Sequence, residues 1–189
     1  MRKVFLTLIV SFLVLPTLAQ EHMAFNGVSM DNDINTFTSE LNAKGFKISK
    51  DDAVYGGATS KLLTGTFAGI DECKIVVSAI YSTKKVCKVG VATPLESSWD
   101  SVLSQYKSLK ESFLQKYSDC EINSYEFGNG HNLQALKDGN CTYATYIATP
   151  QGKISLQIAS TYNKSYVLIV YETALNEDDF RRSKTNNNS

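Results

Sequence analysis

The stretch Lys153-Ile154-Ser155-Leu156-Gln157-Ile158-Ala159-Ser160-Thr161 sets Ile154, Leu156 and Ile158 on one side of an extended chain and Ser155, Gln157 and Ala159 on the other. Side chains alternate across a strand with a period of two, so this pattern reads as a strand with one buried and one open face, as in an antiparallel sheet. Working outward, further strands are predicted at 121–127, 141–149 and 166–173. Ahead of them, Ser97 or Ser98 can cap a helix whose Trp99, Val102, Leu103, Tyr106, Leu109, Phe113, Leu114 and Tyr117 form one apolar stripe. Lys107, Lys110, Glu111 and Lys116 fall largely on its solvent side.

The same order of elements is read earlier in the chain. Asp31 or Asp33 can cap a short helix carrying Ile34, Phe37 and Leu41, and Gly45 stops it. Strands are predicted at 46–49, 62–70, 73–81 and 86–93, with Pro94 ending the last. The two runs can be overlaid. Lys74-Ile75 falls on Lys153-Ile154, and Val77, Lys85, Val89 and Val91 fall on Leu156, Lys164, Leu168 and Val170. At a second offset Ile34, Phe37 and Leu41 fall on Tyr106, Leu109 and Phe113, which implies an insertion of about seven residues around 128–139. One helix covers only one face of a four-stranded sheet, so two such units gain by sharing an interface or a continuous sheet. The expected fold class is therefore α+β, built as two tandem helix-plus-antiparallel-sheet units of about four strands, at 20–94 and 95–175, with a polar tail at 176–189. Units of this size are near the lower limit for holding a core alone, so neither is expected to be stable without the other.

Residues 1–19 read as a secretory signal peptide. Arg2 and Lys3 precede an apolar run broken by Pro16, and Thr17-Leu18-Ala19 supplies the small residues for cleavage between Ala19 and Gln20. The run is too short to cross a bilayer, and no membrane span is expected after cleavage. The full chain balances 19 basic against 19 acidic residues. Loss of Arg2 and Lys3 leaves 17 basic and 19 acidic side chains. Neither the charge nor an exported location, periplasmic or extracellular, suits a nucleic-acid partner.

All four cysteines follow the leader, and an even count in an oxidising compartment favours disulfides. Cys120 and Cys141 flank a Gly-containing stretch that can fold back, which makes them the preferred pair. A tight hairpin of 73–81 with 86–93 would set Cys87 opposite Ile80, beyond disulfide reach of Cys73. Cys73 and Cys87 are then the weaker candidates, and either can instead be a buried thiol. No CxxC or CxxH pair is present, and neither a metal nor a cofactor is expected.

Signals for catalysis are few. His131, in Gly128-Asn129-Gly130-His131-Asn132, could act as a general base with Ser124 or Cys120 as nucleophile, but the segment also reads as a polar turn. His22 reads as exposed N-terminal sequence. No GxSxG elbow, HExxH pair or P-loop occurs. Asp51-Asp52 and Glu177-Asp178-Asp179 read as solvated charge runs rather than carboxylates held across a cleft. The tyrosines carry more. Tyr143 and Tyr146 lie on opposite faces of one strand, as do Tyr166 and Tyr171, so one of each pair faces outward if the sheet has a single core face. Outward tyrosines on a sheet can bind protein or glycan; the alternatives are that they are ordinary strand-formers with a solvated hydroxyl, or that both faces are buried between units.

The segments His22-Met23-Ala24-Phe25-Asn26-Gly27-Val28-Ser29-Met30-Asp31, Leu41-Asn42-Ala43-Lys44-Gly45-Phe46 and Leu63-Thr64-Gly65-Thr66-Phe67-Ala68-Gly69 resemble an uncharacterised family of small exported proteins of Gram-negative gut bacteria. The repeated helix-plus-four-strand pattern is also similar to beta-lactamase-inhibitor-like and outer-membrane-assembly-lipoprotein-like folds, although the lipid-attachment Cys of the second group is missing. The resemblance implies a protein that acts by binding other proteins and not as an enzyme. It carries over no site residues, and a bacterial envelope would make the N-glycosylation patterns at Asn140 and Asn163 irrelevant. The expectation is an exported, non-catalytic binding protein whose partner is an unknown protein or glycan of the envelope. The alternatives are an inhibitor or modulator of a cell-envelope enzyme, or a small hydrolase using His131.

Overall fold

The computed structural model describes residues 22–128 and 132–174. The predicted leader with its Ala19-Gln20 cleavage point, His131, the acidic run Glu177-Asp178-Asp179 and the tail at 176–189 lie outside them. The described chain opens with a hairpin of β1 (Ala24–Phe25) and β2 (Val28–Ser29) across Asn26-Gly27. It continues through α1 (Ile34–Ala43), β3 (Lys47–Ile48), α2 (Asp52–Tyr55), β4 (Ser60–Phe67), β5 (Ile70–Ala79) and β6 (Val86–Ala92). Then follow α3 (Trp99–Lys116), β7 (Glu121–Gly128), α4 (Leu133–Lys137), β8 (Cys141–Thr149), β9 (Gly152–Thr161) and β10 (Lys164–Thr173). Strands β3 to β10 form one eight-stranded sheet in the order β3-β4-β5-β6-β10-β9-β8-β7, with antiparallel neighbours throughout. The protein is a mixed fold of helices on an antiparallel sheet.

The register shows why the helices lie where they do. Ile48, Leu63, Ile75, Val91, Ile169, Leu156, Thr145 and Ser124 face one another in a single row across all eight strands. Every member except the two at the sheet edges is fully buried. Opposed residues share a face, so this row marks one inner face along the whole sheet. Helix α1 lays Ile34, Phe37 and Leu41 on that face against β4 and β5, and α3 lays Val102, Tyr106, Leu109 and Phe113 against β9 and β10. Each fully buried side chain of this kind contributes about 1.5–3 kcal/mol. Both helices start at capping side chains: Asp33 accepts from the N–H groups of Asn35 (2.9 Å) and Thr36 (3.3 Å), and Ser98 accepts from that of Ser101.

The β1–β2 hairpin closes the core between β4 and β10. Phe25, fully buried, stacks on Phe67 of β4 with ring centroids 5.6 Å apart. It also meets Phe46 at 6.0 Å and Tyr171 of β10 edge-on at 5.4 Å. Gly65 permits this packing, because a Cβ there would collide with the Phe46 ring.

Several sequence expectations need correction. The strand predicted at 62–70 ends at Phe67, because Ala68 and Gly69 both take positive φ (50° and 80°) in a two-residue turn and Ile70 already belongs to β5. Val86 lies opposite Ala79 and Lys88 opposite Ser78, so Cys87 is the extra residue of a bulge and does not face Ile80. The overlay of Val89 and Val91 on Leu168 and Val170 also fails. Val91 pairs with Ile169 and Val89 with Tyr171 on the inner face, while Leu168 and Val170 point to the other face. A slip of one residue inverts every side chain of a strand. Asp52 is not a solvated charge: it opens α2, accepts from the Leu62 N–H at 2.7 Å and lies 3.7 Å from Lys61 Nζ.

Candidate functional site

Among the described residues, the face opposite the helices is open. A second row, Lys47, Thr64, Lys74, Ala92, Leu168, Gln157, Ala144 and Tyr125, crosses all eight strands there. Its middle is Ala92, Leu168, Gln157 and Ala144, none of them exposed, with Gly90 and Val170 in the adjacent row. Lys88, Glu172 and Lys153 alternate in charge across β6, β10 and β9, and Lys88 Nζ lies 3.9 Å from Glu172. At the β7 end, three aromatic side chains stand out from this face: Tyr125, Phe127 and Tyr146, which are 49%, 59% and 46% exposed. Tyr125 and Tyr146 meet edge to face at 5.9 Å. Beside Tyr146 lies a shallow recess of about 320 Å³, bordered by Asn123, Lys153, Ser155, Val170 and Glu172. Exposed aromatic rings next to an amide, a hydroxyl and paired charges can take up both apolar and polar groups of a partner.

The four tyrosines singled out in the sequence divide as the alternation requires. Tyr146 and Tyr166 lie on the open face, Tyr146 exposed and Tyr166 half-buried. Tyr143 and Tyr171 are core residues: Tyr143 packs on Trp99 (5.7 Å) and Tyr106 (5.9 Å), and Tyr171 on Phe25 and Phe113. Burial pushes the hydroxyls of Tyr143 and Tyr171 above the usual phenol range. Tyr125 and Phe127 were not singled out. Their signal was the alternation Tyr125-Glu126-Phe127 within a predicted strand, whose outward parity emerges only once Ile122 is placed inside.

A polar network lies on the inner face where α3 crosses the β7 edge. The Tyr106 hydroxyl is 2.9 Å from Thr145 Oγ1 and donates to Glu126 at 3.3 Å. Ser124 Oγ is 3.1 Å from Thr145 Oγ1, and Lys110 pairs with Glu126. Burial pushes the Tyr106 hydroxyl up to about 12, despite the opposing bond to Thr145. The network joins helix to sheet, and the Ser124 hydroxyl is engaged by Thr145.

Neither candidate disulfide forms. Glu121, next to Cys120, lies opposite Ala148, whereas Cys141 lies opposite Gly128. Between positions 121 and 128 the strand advances roughly 23 Å, several times disulfide reach. The residues flanking the irregular stretch do fold back, but as two long strands paired over eight residues and not as a short loop. Cys73 lies next to Lys74, which pairs with Ala92 at the far end of β6 from Cys87, so this pair is also separated. The Cys73 and Cys141 thiols are pushed up by burial. His131 lies outside the described residues, and Asn132 beside it caps α4 by accepting from the Ala135 N–H at 2.8 Å. His22 is exposed and pairs with Asp31. Among the described residues no cluster of three His, Cys, Asp or Glu side chains could hold a metal, and no helix is long and apolar enough to cross a membrane. No family model matches the chain, and no curated protein or solved structure is found to be similar to it.

Proposed function

We propose that this is an exported, non-catalytic binding protein of the cell envelope or extracellular space, which engages a protein or glycan partner through the open face of its sheet. The observation that carries this reading is the grouping of Tyr125, Phe127 and Tyr146 on a face that no helix covers among the described residues, beside a recess of mixed polarity. We further propose that the chain is two tandem units in a beta-lactamase-inhibitor-like arrangement. The order α1-β3-α2-β4-β5-β6 is repeated as α3-β7-α4-β8-β9-β10, and the two sets meet antiparallel through their last strands, β6 and β10. That likeness favours an inhibitor or modulator of an envelope enzyme as the particular form of binding.

The test is crosslinking capture from native envelope fractions with the parent chain and with a Tyr125→Ala/Tyr146→Ala variant. Loss of the captured species with the variant is expected. Unchanged recovery would remove the open face from the reading. The same preparation gives the mature mass, which should correspond to a chain starting at Gln20.

A further inference from the structure

We propose that β7 is an association edge, at which a second copy of this chain adds its own β7 antiparallel to form a two-fold symmetric dimer with a continuous sixteen-stranded sheet. β7 ends the sheet, and among the described residues no strand lies beyond it. It runs for eight residues, paired with β8 from Glu121 to Gly128 without a shift in register. A regular strand of this length leaves one side of its backbone donors and acceptors aligned to accept another strand. The opposite edge is built differently: β3 has two residues, one of them Lys47, which is how sheets discourage edge pairing.

The side chains of β7 select one symmetric register. Around a dyad normal to the sheet, opposed residues must share a face, so the dyad passes through a residue and not between two. Centred on Glu126, two carboxylates would oppose each other. Centred on Ser124, the Glu121 carboxylate would face Phe127 and Glu126 would face Ile122. Centred on Tyr125, the two Tyr125 rings oppose each other, Phe127 faces Asn123, and Glu126 faces the Ser124 hydroxyl. That register places no charge against an apolar side chain and adds an aromatic cross-strand pair. Glu126, the inward charge that would otherwise resist pairing, is already held by Lys110 of α3. The pairing leaves the outward faces of Tyr125 and Tyr146 accessible and doubles the open face. It does not depend on what that face binds.

The experiment uses the mature chain from Gln20 onward. Its mass is followed by light scattering across a concentration series and compared with a Tyr125→Lys/Phe127→Lys variant. Both substituted side chains are about half exposed, so the fold should survive, as circular dichroism would verify. A dimer whose dissociation constant rises at least tenfold in the variant is expected. For register, Tyr125→Cys is oxidised alongside Ser124→Cys, Asn123→Cys and the parent. Opposed Cα atoms in an antiparallel pair are about 4.5–5.5 Å apart, within disulfide range, whereas two copies of position 123 would be roughly 13 Å apart. Only Tyr125→Cys should yield covalent dimer above the parent background. A monomer at every concentration, a dimer indifferent to the lysines, or crosslinking through position 124 or 123 instead would each overturn the proposal. So would capture of a foreign peptide at position 125 in place of a second copy.

Discussion

At the β3 end of the sheet the edge strand is two residues long, and the inner face behind it is closed by hydrocarbon: Phe25, Phe37, Phe46 and Phe67, with the β1–β2 hairpin as a plug. At the β7 end the edge strand is eight residues long and no hairpin precedes its helix. There the inner face is closed by Trp99, Tyr143 and Tyr106, and by the hydroxyl and charge network running to Thr145, Ser124, Glu126 and Lys110. The same order of helix and strands thus ends in an apolar, covered rim on one side and a polar-seamed, aromatic-bearing rim on the other. The lesson is a division of labour within one sheet. The first end secures the fold, and the second keeps a regular strand and three exposed rings available for contact.

The sharpest way to break this contrast is to unplug the first end. Phe25→Ala should cost about 3–5 kcal/mol, since a fully buried ring is lost from contacts with Phe46, Phe67 and Tyr171. A loss below about 1 kcal/mol in urea unfolding would mean that the hairpin does not seal the core at this end. At the second end, Tyr106→Phe removes one hydroxyl from a network that keeps its other members, and should cost about 1–2 kcal/mol. Its pH dependence sharpens the point. The folded pKa of Tyr106 is about 12 against about 10 when unfolded, so the neutral phenol is favoured in the fold. That contribution is complete below pH 10 and is lost as pH rises toward 12. Stability of the parent should fall across this window, and less steeply in Tyr106→Phe. An unchanged slope would take Tyr106 out of the core.

The smaller effects concern the surface. Bonds from the Thr36 hydroxyl and from the N–H groups of Thr36 and Asn35 hold the Asp33 carboxyl below its usual range. Its cap contribution is therefore present above about pH 4 and is lost as pH falls below that value. Asp33→Asn keeps a capping side chain without the titration, so it should flatten the acid limb of the stability profile. Smallest of all, Tyr146→Ala should change stability by no more than about 0.5 kcal/mol, because the ring is exposed. A large loss would show that the ring supports the fold and is not held out for a partner.

Much of this architecture was legible in the sequence, and the failures have physical causes. The stripe on α3 and the alternation in β9 are periodic over many residues and stand in the structure as the sequence reads, while each cap, Asp33 and Ser98, is one of the two residues the sequence offers for it. The turn at Ala68-Gly69 was missed because alanine gives no hint of positive φ. The β1–β2 hairpin was missed because strands of two residues are too short to show a period, although Asn26-Gly27 marked the turn. The bulge at Cys87 is one residue, yet it sufficed to invert the overlay of β6 on β10. Parity alone assigned one outward tyrosine to each predicted pair, but choosing Tyr146 over Tyr143 required knowing which face the helices cover. The disulfide between Cys120 and Cys141 was expected from a loop, where the chain builds an extended hairpin.

The claim that partners bind on the open face is tested most directly by placing a photo-crosslinking side chain at position 146, and separately at exposed Lys107 on the helix side, in the full-length chain expressed in its native cells. A discrete adduct from position 146 and none from position 107 is expected. An adduct from position 107 with none from position 146 would contradict it.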